Sequence, residues 1–325
     1  MHKLMKMFSA SVCAASFFGS AIAAETVPTS TPEVSSEEAE ALEKDDPKLF
    51  EAGFDLDFFS AYIWRNSVQN DEPAIQPCVW ADLTYFEPFW LGFSIWQNYD
   101  LTRRRKASLD GGLTETDFNV HLAATAWASE DERTSLDVEI GHEWYVNHRV
   151  KSEACEYYKN SAELYAKITL NNEIANIYGM ASWMYDDFGE YKQGMNYEIG
   201  INREFDILSP FELPEDKLIF GLDWNVNFGD ARYLYYLYGG VDYWYDEESG
   251  EEGCSNPTAG IAGTTLKAYL TWNITEWMSL VGTIAYTGVL NGSARQALGD
   301  EDTGWQGDAY RRDLLWGGVS LKFEF

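Results

Sequence analysis

The sequence predicts an all-β protein, a transmembrane antiparallel up-and-down β-barrel of about twelve strands, within a range of roughly ten to fourteen. Three observations predict this fold. Segments of roughly ten to fourteen residues alternate between apolar and polar side chains with a period of two. The connections between these segments are alternately short and long. The chain also ends on an amphipathic strand whose last residue is Phe325.

The C-terminal segment has the clearest alternation. From Leu315 to Phe325 the odd positions are apolar or glycine, and the even positions carry Trp, Gly, Ser, Lys and Glu. A strand of this kind separates an apolar from a polar environment. It is similar to the last strand of bacterial outer-membrane barrels, in which a terminal aromatic residue belongs to the assembly signal. We therefore expect Phe323 and Phe325 to form such a signal.

The first 24 residues predict a cleaved signal peptide. Lys3 and Lys6 precede an apolar stretch, and Ala21 to Ala23 supplies the small residues that a signal peptidase requires. This stretch is too short for a membrane span. Residues 25–48 are acidic, rich in Pro, Ser and Thr, and poor in large apolar side chains. Such a segment cannot bury enough surface to offset the entropy of ordering, so it predicts a disordered tail.

Residues 49–325 then form the predicted barrel domain. They contain no apolar run long enough for a transmembrane helix. Aromatic residues make up 16% of the chain, including 13 tryptophans, as expected where side chains meet a membrane–water interface. The formal net charge is −30, which disfavours nucleic acid as a partner and favours cations.

The predicted strands are joined by connections that are alternately short and long. The predicted strands are 50–64, 75–86, 89–98, 117–127, 135–145, 161–170, 174–185, 194–203, 217–228, 264–273, 277–289 and the C-terminal stretch. The short connections are 87–88, 129–134, 171–173 and 274–276, with 205–216 as an exception. The long ones are 66–74, 99–116, 146–160, 186–193, 229–263 and 290–312. Short turns at one end and long loops at the other are typical of a transmembrane barrel with both termini periplasmic.

The stretch 230–263 permits three interpretations. Its two aromatic segments could extend neighbouring strands, form a separate hairpin, or fold into the lumen. If the hairpin crosses the membrane, the barrel has about fourteen strands.

With the apolar face outward, the charged residues of the strands point inward. The predicted pore-lining residues are Asp55, Asp57, Asp82, Asp117, Asp137, Glu139, Glu163, Glu198, Asp223, Lys167 and Lys267, with Glu324 and Lys322 on the same side. Such an acidic lumen would concentrate cations and exclude anions. The alternative is that these charges pair with one another and that the barrel is closed. Large inward residues such as Trp80 and Tyr269 could plug it.

Two loop features complete the candidate sites. The basic cluster Arg103, Arg104, Arg105 and Lys106 could contact lipopolysaccharide, form a constriction opposite the acidic residues, or be a solvated loop tip. In an oxidising compartment a disulfide between Cys155 and Cys254 is expected, with Cys78 left over.

Catalytic signals are weak. The histidines after the signal peptide are His121, His142 and His148, and the spacing of the last two does not match the zinc motif of metalloproteases. A set of Ser94, His121 and an asparagine at the rim has the residue types of a hydrolase, but nothing in the sequence brings them together. We expect no catalytic residues, no metal and no cofactor.

The start of the predicted barrel resembles the TorF-type porins of Gram-negative bacteria. The resemblance lies in Ser-Ala-Tyr-Ile-Trp-Arg at 60–65, followed by Gln69, Pro73 and Ile-Gln-Pro at 75–77. Asn66 stands where that family usually has glycine, and the resemblance covers about residues 50–100. It implies an outer-membrane porin but brings no substrate and no functional residues. A second likeness, to barrels of the MltA-interacting type, implies a scaffold.

Three hypotheses of function follow. The first is a passive outer-membrane channel for small cationic or neutral solutes, with the inward carboxylates setting its selectivity. The second is a closed structural or interaction barrel that binds a partner, and the third is a hydrolase at the rim. The expected partners are outer-membrane lipid, lipopolysaccharide, the barrel-assembly machinery and small solutes.

Overall fold

The computed structural model describes residues 50–86, 88–101, 112–131, 133–148, 160–186, 194–208, 217–238, 241–246, 251–255, 257–297 and 312–325. The predicted signal peptide (1–24) and acidic tail (25–48) lie outside the described residues, and both stay predictions.

The described chain forms sixteen strands and two short helices. In chain order these are β1 (Phe50–Phe59), β2 (Tyr62–Trp64), β3 (Ser67–Asn70), β4 (Ala74–Phe86), β5 (Phe89–Asp100), β6 (Gly112–Ala128), β7 (Thr134–Asn147), β8 (Ser161–Asn172), β9 (Asn176–Asp186), β10 (Gly194–Asp206), β11 (Leu218–Gly229), α1 (Ala231–Tyr238), β12 (Val241–Asp246), β13 (Glu251–Ser255), β14 (Gly260–Thr275), β15 (Met278–Val289), α2 (Gly292–Ala297) and β16 (Asp313–Glu324).

Twelve of these strands close into one antiparallel barrel, which confirms the predicted fold. The order around the barrel is β1-β16-β15-β14-β11-β10-β9-β8-β7-β6-β5-β4. Each strand pairs with its neighbour in the chain, apart from the inserted short strands. The first and last strands close the ring, with Phe54 opposite Phe323 and Leu56 opposite Leu321. Closure leaves no unpaired sheet edge, which the hydrocarbon of a membrane requires.

The outside of the barrel is apolar. Its middle band is mostly aliphatic, and aromatic side chains gather towards both ends, as in transmembrane barrels. Exposed residues of the band include Val79, Ile95, Leu122, Ile140, Ile168, Ile199, Leu222, Leu266, Leu270, Ile284 and Val319. Exposed aromatic residues include Phe50, Phe89, Trp127, Phe205, Trp272 and Trp277 at one end and Trp144, Trp183, Trp224 and Tyr286 towards the other. The barrel is therefore a transmembrane one.

The two ends of the barrel differ. We call the end at Phe50 and Glu324 the turn end, because most connections there are short, such as 173–175 and 276–277. We call the opposite end the loop end. The predicted first strand is too long, since β1 stops at Phe59 instead of continuing to Trp64. The chain leaves the wall there and forms the β2–β3 hairpin, whose turn is Arg65–Asn66.

The long connection after β11 does not cross the membrane. It forms α1 and then a separate two-stranded sheet of β12 and β13, so the barrel keeps twelve strands. The fourteen-strand alternative is thereby excluded. Neither α1 nor α2, nor any other described helical segment, has the length and apolarity to span a membrane.

Candidate functional site

The inward face of the barrel carries the charged residues that the alternation assigned to it. Eight of the predicted acidic side chains are at most 9% exposed: Asp55, Asp57, Asp82, Asp117, Asp137, Glu163, Glu198 and Asp223. Lys267 is 8% exposed, and Glu139 and Lys167 are partly exposed. Their burial shows that side chains fill much of the space around them.

Several of these carboxylates have one buried oxygen without a hydrogen-bond donor. Among the described residues, Asp82 Oδ2, Asp117 Oδ1 and Asp223 Oδ1 are buried and have no hydrogen-bond partner. A buried carboxylate that is not compensated by donors or positive charge costs several kcal/mol. The inner wall therefore carries more carboxyl groups than its own donors and cations satisfy.

Lysines compensate part of this charge. Lys322 Nζ lies 3.9 Å from Asp55 Oδ2, and Lys267 stands opposite Asp223 in the pairing of β11 with β14. Lys167 Nζ lies 5.2 Å from the ring centroid of Tyr178, a cation–π distance. Three lysines face eight buried carboxylates, so the inner wall remains acidic.

Tyrosine hydroxyls bind many of the inward glutamates. They donate to carboxylates in the pairs Tyr62–Glu115 (2.8 Å), Tyr145–Glu143 (2.9 Å), Tyr165–Glu139 (2.8 Å), Tyr178–Glu198 (2.6 Å) and Tyr269–Glu204 (2.7 Å). The sequence prediction omitted Glu115, Glu143 and Glu204. The parity of β7 identifies Glu143 as inward, whereas Glu115 and Glu204 lie just beyond the predicted strand ends.

Aromatic rings lie flat against the inner wall over glycines. Each ring packs on a glycine directly opposite in the neighbouring strand, in the pairs Gly53–Trp80, Gly92–His121, Gly141–Tyr165, Gly200–Tyr178 and Gly221–Tyr269. A Cβ at any of these glycines would collide with the ring. The rings consequently occupy less of the lumen than rings pointing at the barrel axis would.

The β2–β3 hairpin crosses the lumen. It begins between β1 and β4, and β9 and β10 lie five strands away in either direction around the barrel. Its turn nevertheless reaches that opposite wall. Arg65 Nη2 donates to Glu163 Oε1 on β8 at 2.5 Å, and Arg65 Nη1 lies 3.7 Å from Glu198 Oε2 on β10.

Asn66 extends this contact to two further strands. Its side-chain amide donates to Asn227 Oδ1 on β11 and lies 3.4 Å from the carbonyl oxygen of Gly263 on β14. Burial lowers the pKa of Arg65, but Glu163, Tyr145 and Glu198 raise it, and the net pKa stays above its usual value. The hairpin therefore places a permanent positive charge inside the barrel.

Helix α1 fills the loop-end mouth. Asp230 Oδ1 accepts hydrogen bonds from the backbone N–H of Arg232 (3.0 Å) and Tyr233 (2.8 Å), as an N-cap does. The buried face of α1 consists of Tyr233, Leu234, Leu237 and Tyr238 and packs against Tyr145, Met184, Ala262 and Val289 from four barrel strands. Trp64 of the hairpin contacts the rings of Tyr145 and Tyr236, so hairpin and helix form one plug.

The structure does not bring the three histidines together. His121 Nδ1 lies 3.2 Å from Asn119 Oδ1 inside the barrel, and Ser94 stands opposite Asn119, but none of the described contacts joins Ser94 to His121. His142 faces outward, where it bonds the hydroxyl of Tyr185 and packs on Trp144. His148 Nε2 lies 2.9 Å from Thr116 Oγ1 near the loop end. Within the described part of the chain, no cluster of His, Cys, Asp or Glu is arranged to hold a metal ion.

The other predicted features are only partly described. The basic cluster at 103–106 and Cys155 lie outside the described residues, so the role of the cluster and the Cys155–Cys254 disulfide stay predictions. Cys254 belongs to β13, and Cys78 is a buried cysteine on the inner wall of β4. Phe325, 69% exposed, exchanges backbone hydrogen bonds with Ala52 beside β16.

No protein-family model and no curated protein matches this chain. Among solved structures it is similar to outer membrane phospholipase A from Escherichia coli, with 12% identity, 86% of this chain and 94% of that chain covered, and a TM-score of 0.41. For the NanC porin the corresponding values are 9%, 84%, 98% and 0.43. For the translocator domain of the autotransporter NalP from Neisseria meningitidis they are 8%, 89%, 93% and 0.40. With TM-scores below 0.5, these likenesses assign no function to this chain.

Proposed function

We propose that the protein is an outer-membrane channel of a Gram-negative bacterium that passes small solutes and prefers cations. The termini and the turn end face the periplasm, and the loop end faces outward. Lipid and lipopolysaccharide surround the barrel, and Phe323 and Phe325 carry the signal for the assembly machinery. The hairpin and α1 narrow the passage. Membership in the TorF-type family, which rests on the sequence resemblance at 60–77, and the absence of catalysis are parts of the same proposal.

One observation carries this proposal, the buried carboxylate oxygens of the inner wall that have no hydrogen-bond donor. A barrel that served only as a closed scaffold could fill its core with neutral hydrogen-bonding or apolar side chains at lower cost. Asp82, Asp117 and Asp223 instead bury carboxylate oxygens without donors. Negative charge of this kind lowers the free energy of a cation in the lumen and raises that of an anion.

A second candidate, a closed interaction barrel, is favoured by a different observation. The plug of hairpin and α1 contacts the wall strands β7 to β11, β14 and β15, and Tyr233, Leu234 and Tyr238 are at most 1% exposed. If this plug never moves, the loops and not the lumen carry the function.

Conductance in a planar bilayer distinguishes the two candidates. The refolded chain is reconstituted and its reversal potential is measured in a KCl gradient. Discrete current steps with a cation-selective reversal potential support the channel. The variant with Asp82→Asn, Asp117→Asn and Asp223→Asn together should shift the reversal potential towards zero, whereas Asp131→Asn, in an exposed connection at the turn end, should not. A folded barrel that shows no current supports the closed candidate instead.

A further inference from the structure

Arg65 occupies a polar cage in the inner wall. The guanidinium group is bonded to Glu163 and lies near Glu198, and its Nη1 is 3.6 Å from the sulfur of Met180. The indole of Trp64 is 6.0 Å from the guanidinium carbon. Arg65 is 5% exposed, so the cage holds the group away from bulk solvent. Carboxylates on two sides with an aromatic ring and a soft sulfur nearby suit a planar, weakly hydrated cation.

The cage holds more carboxyl groups than one guanidinium bonds. The Tyr145 hydroxyl oxygen lies 2.9 Å from Glu143 Oε2 and 3.2 Å from Glu163 Oε2, so these two carboxyl groups share its single proton. The carboxylate of Asp117 lies in the field of Glu115, Glu143 and Glu163. Two buried polar atoms stay without a partner among the described residues, Asp117 Oδ1 and Arg65 Nε. The carboxyl groups around the cage are therefore not all bonded while Arg65 occupies it.

The backbone at Arg65 is strained. Arg65 and Asn66 have φ angles of 49° and 60°, in the left-handed region. Asn tolerates this region, but for a residue such as arginine it is disfavoured. Two consecutive positive φ angles produce the tight turn that lets a two-strand hairpin cross the lumen. The contacts of Arg65 with the cage hold the turn in place.

We propose that the cage is a recognition site for guanidinium groups, that Arg65 is its resident occupant, and that a guanidinium solute can replace it. Replacement would release the hairpin tip from the opposite wall. Only the effect of this release on the passage of solutes rests on the proposed function. Binding itself does not depend on conduction. A guanidinium presents several N–H donors in one plane and can bond Glu163 and Glu198 together, which the compact ammonium of a lysine-like solute cannot.

Chemical rescue tests this site. In detergent micelles, Arg65→Ala should lower the midpoint of thermal unfolding by roughly 5–10 °C, because it leaves Glu163 buried without its partner. Methylguanidinium chloride, added well below denaturing concentrations, should restore the midpoint in a saturable manner. Methylammonium chloride at equal concentration should not. In the wild type the tethered Arg65 competes for the cage, so methylguanidinium should leave the midpoint unchanged at the concentration that rescues Arg65→Ala.

Three variants make the test specific. Arg65→Lys keeps a positive charge and covers the case in which Arg65→Ala does not refold; methylguanidinium should raise its midpoint as well. Arg65→Ala combined with Glu163→Gln should lose the rescue. Arg295→Ala is the matched control, because Arg295 bonds Asp313 at 2.8 Å in a pair that is 37% and 44% exposed. The unfolding midpoint of Arg295→Ala should not respond to methylguanidinium.

Equal rescue by methylammonium, or rescue that persists without Glu163, would overturn the proposed site. Because these measurements are made in micelles, they do not depend on a conducting lumen. A barrel that binds methylguanidinium but carries no current refutes the channel and leaves the site. A barrel that conducts but is not rescued by methylguanidinium refutes the site and leaves the channel.

Discussion

The glycines of the inner wall determine where its aromatic rings lie. Gly221 has the ring of Tyr269 directly above it, and the hydroxyl of this tyrosine reaches Glu204 at 2.7 Å. A side chain at position 221 would push the ring away from the wall and towards the barrel axis. The small residue, the ring orientation and the hydrogen bond therefore depend on one another.

Gly221→Ala should destabilise the barrel and narrow its lumen. We expect a cost of about 1–3 kcal/mol in the free energy of unfolding, because the added methyl group overpacks a filled site. Single-channel conductance should fall as the ring of Tyr269 turns inward. Gly282→Ala is the control, since a Cβ there meets nothing within 4 Å. Equal effects of the two substitutions on urea unfolding would contradict this account of the ring.

The pair Arg65–Glu163 is a residue-scale determinant of stability because both side chains are buried. Glu163→Gln leaves the guanidinium without its charged partner, and we expect a loss of about 3–5 kcal/mol. Asp313→Asn breaks a solvent-exposed pair and should cost less than about 1 kcal/mol. Urea unfolding in lipid vesicles measures both. A cost of Glu163→Gln no larger than that of Asp313→Asn would show that the pair does not anchor the hairpin.

The alternation of side chains predicts which charges point inward, but not what they bind. The parity of β1 and β11 is enough to place Asp55, Asp57 and Asp223 inside. The partners come from other strands, as Tyr145 does for Glu163, and strand parity does not give their distance. The role of Arg65 depends on a hairpin that spans the lumen, so no local pattern reveals it.

At the scale of elements, the β2–β3 hairpin is where the sequence prediction was wrong. The alternation in the sequence continues to Trp64 and predicts one long first strand. In the structure β1 ends at Phe59, where the chain leaves the barrel wall. It then reverses direction at Arg65–Asn66, a turn in which both residues have positive φ angles. Such turns are usually marked by glycine, and here no glycine marks it. For the long connection after β11 the sequence permits strand extensions, a separate hairpin or a fold into the lumen, but it does not indicate the helix α1 that the structure contains.

Removing the hairpin should open the barrel. Residues 60–73 can be replaced by a two-residue Asn-Gly turn that joins β1 directly to β4. Because the hairpin crosses the lumen, we expect a several-fold larger single-channel conductance with the cation preference retained. Replacing the connection 129–133 at the turn end by the same turn is the control and should leave the conductance unchanged. A conductance unaffected by loss of the hairpin would mean that it does not limit the passage.

At the scale of the whole molecule, every strand of the barrel has one apolar face towards the outside and one polar face towards the lumen. The outside carries aliphatic side chains between aromatic ends, and the inside carries carboxylates, tyrosines and glycines. Strand parity and the rhythm of connection lengths follow from this division, and for that reason the twelve-stranded barrel was predictable from the sequence. The plug was not, since it depends on contacts between segments far apart in the chain, such as Trp64 with Tyr236.

The membrane embedding of the outer surface can be measured directly. Ile140, 60% exposed, lies at the middle of β7, whereas Leu315, 68% exposed, lies near the loop end of β16. In a bilayer, Ile140→Arg should cost about 2–4 kcal/mol and Leu315→Arg about 0–1 kcal/mol, because the penalty for a charge is largest at the midplane. The measurement is urea unfolding in phospholipid vesicles. In water both positions would tolerate arginine with little difference, so equal costs would contradict a transmembrane position of this barrel wall.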